Sequence, residues 1–181
     1  MTVFPLLLTA LVSPASAFTE PMSGLYAETA ASTAVLDIPS VGWRGSVGGT
    51  FATGLWLGQY DDVYALGKFL SLGAVVSMVG HQEGALLIPQ FEVRRGWDIL
   101  LTQVGTSLRV GPVTSLSPLE TPTRWGVSLG GQVKYRYHRY WGAILTLHGG
   151  VVTKDETFDA FQPTFASSLG IGWSAPFHAP D

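Results

Sequence analysis

Side chains alternate with a period of two along much of this chain. Between Trp43 and Gly58, Trp43, Val47, Phe51, Leu55 and Leu57 fall on odd positions, while Arg44, Ser46, Gly48, Thr50, Gly54 and Gly58 fall on even ones. The parity returns from Arg124 to Trp141. Trp125, Val127, Leu129, Val133, Tyr135 and Tyr137 take one face there, and Arg124, Ser128, Gln132, Lys134, Arg136 and His138 the other. Successive Cβ atoms of a strand point to opposite sides, so a period of two predicts strands. The second face is too charged for a soluble core. Apolar stripes ended by aromatics, wrapped around a polar centre, form the pattern of a barrel that meets lipid on its outside.

Strand-length segments fall near 23–36, 43–58, 63–79, 85–93, 97–110, 123–138, 140–153 and 161–175, separated by turn residues. The expected fold is therefore all-β, an eight-stranded antiparallel transmembrane barrel. An even count returns both chain ends to one side, the periplasmic side of an outer-membrane barrel, where turns are short and the opposite loops longer. Tight connections are expected at Arg94-Arg95-Gly96 and His138-Arg139-Tyr140. Longer ones are expected at Gly111 to Pro122 and at Thr153 to Ala160.

Composition narrows the class. Only 13% of the residues are charged, about half the usual share, with 22 glycines and 12% aromatics. No run reaches the roughly 18 apolar residues of a spanning helix, and lipid otherwise accepts only a closed barrel, in which every backbone polar group is paired. Residues 1–17 read as a signal peptide: an apolar stretch from Val3 to Val12 and a small-residue cleavage site at Ala15-Ser16-Ala17. Residues 18–181 then form the barrel domain. The absence of cysteine excludes disulfides, thiolate metal sites and an acylated N-terminal cysteine. A net charge of −3 gives no basis for nucleic-acid binding.

The last predicted strand carries Ser168, Gly170, Ile171 and Trp173, which resemble the closing assembly signal of outer-membrane barrels. Over the mature chain, pattern and length are similar to the small OmpA/OmpX-type barrels. That resemblance implies a bacterial outer-membrane location, contact with lipids and lipopolysaccharide, and recognition by the outer-membrane assembly machinery. It carries no particular activity.

Candidate chemistry lies on the polar face. Arg44, Glu92, Arg94, Asp98, Arg109, Arg124, Lys134, Arg136 and His148 are expected inside the barrel or at a rim, with Glu28 as the other strand acid. An eight-stranded interior is just wide enough for side chains, so the leading expectation is a filled lumen and a structural or surface-interaction role. The alternative is a narrow pore favouring anions, lined by the excess of cations. A third reading is a lipid A-modifying enzyme built on His148, Ser128, His138 and Glu156, for which no diagnostic spacing exists. The histidines form no close pair of metal-ligand type, and no cofactor is expected. Trp43, Trp125, Tyr135, Tyr137, Trp141, Phe161, Phe165 and Trp173 are read as interfacial girdles. The acids Asp37, Glu83, Glu120, Asp155, Glu156 and Asp159 fall in predicted outer loops, where solubility is their expected role.

Overall fold

Alternation closes into a cylinder. A computed structural model describes residues 19–38, 42–61, 66–81, 84–115, 123–138, 140–153 and 161–177. Their strands are β1 (Thr19–Ile38), β2 (Gly42–Asp61), β3 (Leu66–His81), β4 (Gly84–Ile99), β5 (Thr102–Ser115), β6 (Arg124–Arg136), β7 (Trp141–Thr153) and β8 (Phe161–Pro176). Each pairs antiparallel with its sequence neighbour, and β1 pairs with β8, so these eight strands form a closed antiparallel barrel. Residues 1–17, read from the sequence as a signal peptide, residues 116–122 and 154–160, and the side chains of Asp37, Trp43 and Arg44 lie outside the described residues.

Parity sorts the side chains. Val47, Phe51, Leu55, Leu129, Val133, Leu145 and Leu169 stand on the outer wall, Val47 at 70% and Leu129 at 64% exposure. Glu28, Glu92, Arg94, Arg109, Lys134 and His148 are buried inside. Outward hydroxyls bond within the wall: Thr33 Oγ1 lies 2.8 Å from Ser167 Oγ, and Thr53 Oγ1 donates to the Tyr26 carbonyl at 3.0 Å. Where the ladders are continuous, such a wall leaves few backbone groups in need of water.

The boundary between β4 and β5 corrects the sequence reading. Arg94-Arg95-Gly96 is not a turn; β4 runs on to Ile99, and the turn is Leu100-Leu101. Arg94 faces the lumen and meets two buried carboxylates, Arg95 faces out, and Gly96 faces in, where a Cβ would collide with the Phe69 ring at 2.9 Å. A charged doublet beside a glycine looks like a soluble turn, but in a barrel with a polar interior it is alternating wall. The true turn has Leu100 at a φ of 56°, a left-handed conformation at its first central position only, as in a type II′ hairpin. Arg136 fastens it: the guanidinium pairs with Asp98 and donates to the Leu100 carbonyl at 2.6 Å, and the Arg136 amide donates to Leu101 O at 2.7 Å.

The predicted loop at Gly111 to Pro122 also begins too early, because β5 includes Pro112 and runs to Ser115. Pro89 on β4 and Pro112 on β5 lack an N–H. The β4–β5 ladder is continuous from Phe91 and Val110 to the turn and resumes at Leu87 and Thr114, but residues 88–90 pair with none of 111–113. The strands still touch there, with the Pro89 carbonyl packed over Gly111, where a side chain would collide.

Candidate functional site

The interior is built in tiers. At mid-height, β1 contributes Glu28, β4 Glu92 and Arg94, and β5 Arg109. Arg94 Nη1 lies 2.6 Å from Glu28 Oε2, Arg94 Nε lies 2.5 Å from Glu92 Oε2, and Arg109 Nε lies 2.7 Å from Glu92 Oε1. Glu92 is 0% exposed. The chain Glu28–Arg94–Glu92–Arg109 thus crosses the lumen with each carboxylate matched to a guanidinium, the arrangement that lets charge be buried at all. Arg94 also stacks its Cζ 4.8 Å from the Tyr26 ring centroid. Tyr26 packs with Ala52, Val75 and Trp56 in an apolar knot inside the barrel. Its hydroxyl lies over Gly73, where a Cβ would collide with it.

Above this tier, toward the ends joined by 116–123 and 154–160, the lumen holds small side chains. Thr50 and Ser77 hydroxyls are 3.0 Å apart, and those of Thr146 and Ser168 2.6 Å. His148 Nε2 lies 3.3 Å from Ser107 Oγ, and its Nδ1 has no partner among the described residues. A nucleophile–base pair needs a third group to orient the base, and Glu92 is already occupied by two guanidiniums. Ser128 sits beside Arg109 in register, His138 is exposed at the β6–β7 turn, and Glu156 lies outside the described residues. Arg124 donates to Gln162 at 3.5 Å near the loop end.

Below the mid-height tier, toward the turns, lies a cavity of about 210 Å³ bordered by Tyr26, Trp56, Lys134, Gln103, Arg136 and Asp98 among others. Lys134 is 2% exposed, and its Nζ donates to Ser174 Oγ at 3.3 Å. Gln103 donates to Asp98 at 3.1 Å and Gln132 to Glu28 at 3.4 Å.

Outside, aromatics gather near both ends. Trp97, Tyr135, Tyr137 and Trp141 are exposed toward the turns, and Trp173, half-buried, is the register partner of Trp141. Trp125, Phe161 and Phe165 are exposed toward the loops. An apolar outer wall between two aromatic zones, enclosing charged side chains, defines the transmembrane β-barrel as a class of fold.

No family model and no curated protein matches this chain. Among solved structures, it is similar to the outer membrane protein OprG from Pseudomonas aeruginosa, at 12% identity over 88% of this chain and 95% of that one, with a TM-score of 0.37. It is also similar to Ail, the attachment invasion locus protein of Yersinia pestis, solved with the heparin analogue sucrose octasulfate. There the identity is 10% over 86% of this chain and 99% of that one, with a TM-score of 0.32. Neither likeness assigns an activity to this chain.

Proposed function

We propose that this chain is a bacterial outer-membrane barrel with a closed lumen, and that it serves the envelope through its wall and its loop end, as a structural or surface-contact protein. The observation that carries this reading is the buried Glu28–Arg94–Glu92–Arg109 chain, which fills the mid-height of the lumen. Opening a water path there would part ion pairs in a low-dielectric setting, which is costly. The outer wall supports residence among lipid and lipopolysaccharide, reached by way of the signal segment and the assembly machinery. The narrow anion pore has its cations in place, but these are spent on neighbouring carboxylates at the constriction. Conductance of the refolded full chain in planar bilayers tests this: no steady current is expected, and a reproducible ion-dependent current overturns the closed lumen. Fractionation tests the location, with the mature protein expected in outer membranes beginning at Phe18, and recovery as a soluble periplasmic protein overturning it.

A further inference from the structure

The outer wall carries charge at one place. Among the described strand side chains that face outward, the charged ones are both cations, Lys68 on β3 and Arg95 on β4, and both are exposed. Their inward neighbours fix that direction: the Phe69 ring reaches over Gly96 and Gly105 inside the barrel, and Arg94 lies in the ion-pair tier. The two strands are partners, with Lys68 opposite Trp97 and Leu70 opposite Arg95. Lys68 and Arg95 are therefore diagonal neighbours on one face, about 7–8 Å apart and within reach of long side chains. No ion pair or hydrogen bond engages either side chain among the described residues.

Height decides what the pair can meet. Trp97, opposite Lys68, belongs to the exposed aromatic zone at the turn end with Tyr135 and Trp141, and such zones mark the headgroup level of a bilayer. Lys68 thus stands among headgroups. Arg95 lies two residues further into the wall, roughly 7 Å along a strand, but its long stem lets the guanidinium snorkel back to the level of Lys68. Both charges then meet at one height. A charge facing lipid is costly at the bilayer midplane and nearly free at the interface, so the pair is tolerated there, and two adjacent cations with no described acid facing out beside them attract anions. The anion fixed at that level is a lipid phosphate, two oxygens of which match a guanidinium. We propose that Lys68 and Arg95 form a binding site for one anionic phospholipid of the leaflet at the turn end, its phosphate held between ammonium and guanidinium beside Trp97 and its tails lying on Leu70 and Leu72. A zwitterionic lipid would bring its own ammonium against the pair. The choice of leaflet rests on the outer-membrane reading, in which the turns are periplasmic, whereas the site rests on the wall alone.

The test is native mass spectrometry of the detergent-refolded full chain titrated with dioleoyl phosphatidylglycerol. Dioleoyl phosphatidylcholine, which has the same tails and phosphate but no net charge, is the reference. One phosphatidylglycerol per barrel should be retained in preference, with a midpoint roughly ten- to thirty-fold below that of phosphatidylcholine, and Lys68→Gln or Arg95→Gln should each raise that midpoint about five-fold, the worth of one basic side chain at a lipid surface. Lys68→Arg and Arg95→Lys should keep most of the preference. The Gln variants remove a charge from a lipid-facing wall and touch nothing in the lumen, so the barrel should fold as before. Equal retention of the two lipids, or an unchanged preference in the Lys68→Gln/Arg95→Gln double variant, overturns the site. Displacement of the lipid by millimolar inorganic phosphate makes it a site for free phosphate and overturns the lipid assignment. Tighter retention of lipid A than of phosphatidylglycerol, lost in the double variant, overturns the assignment to the turn-end leaflet. Fractionation of the protein away from outer membranes would overturn the location and leave the retention result standing.

Discussion

Glu92 accepts from Arg94 and Arg109 at once, so neutralising it strands a buried guanidinium whichever way the other side chains relax. Glu92→Gln is therefore expected to destabilise the folded barrel by about 3–5 kcal/mol, measured as a shift of the urea midpoint in a reversible refolding assay. A change below about 1 kcal/mol, the usual value of an exposed pair, would mean that the network is hydrated. At Leu100 the expectation has the opposite sign. Its φ of 56° suits glycine, and its side chain is largely exposed, so Leu100→Gly should stabilise by roughly 1 kcal/mol in the same assay. The residue scale is where the sequence was least legible. The polar pattern puts Arg109, Lys134 and His148 inside while Arg94 is read into a turn, and which carboxylate meets which cation depends on strands that are distant in sequence, such as β1 with β4. Ser107 beside His148, and Tyr26 with Trp56 inside the lumen, had no local signal beyond their placement by parity. Aromatics in such a chain point first to girdles.

At the scale of one strand, β6 displays the alternation most cleanly: Leu129 and Val133 stand outside while Gln132 and Lys134 are buried within. Leu129→Arg, near the middle of the outer wall, should cost about 2–4 kcal/mol in lipid. Leu129→Phe should cost little, because it leaves the wall apolar. Equal effects of the two would place that face away from hydrocarbon. Strand periodicity was legible because it is local, repeated and unaffected by partners. The β4–β5 boundary was not, since the usual sign of a turn, charge next to glycine, loses its meaning where charge is what the interior holds. Arg94 is inside because Glu28 waits across the barrel, a fact of register and not of neighbourhood. Pro112 misled in a similar way: proline reads as loop, yet here it lies within β5, where the ladder to β4 is already interrupted.

For the whole molecule, closure by β1 and β8 leaves no free sheet edge from which detergent could unravel the structure. The unboiled protein should migrate faster on a denaturing gel than the boiled one, and co-migration of the two forms would contradict a closed barrel. Closure also brings the start of β1 and the end of β8 to the end that carries the Leu100-Leu101 turn, the end toward which the cavity beside Lys134 lies.

The unpaired stretch between residues 88–90 and 111–113 gives the cylinder a place to begin failing. A closed ring of hydrogen bonds must break somewhere before it can open, and the least resistance lies where proline has already removed donors and the staves meet through packing of Pro89 and Gln90 against Gly111 instead of through a ladder. Amides turned toward this seam should exchange with deuterium before those flanking Glu92 and Arg109, a few residues along the same two strands, where the ladder and the ion pairs coincide. Rupture would then run lengthwise from the loop end and stop at the ion-pair tier, so that the half of the barrel holding Lys134 outlasts the half beyond that tier.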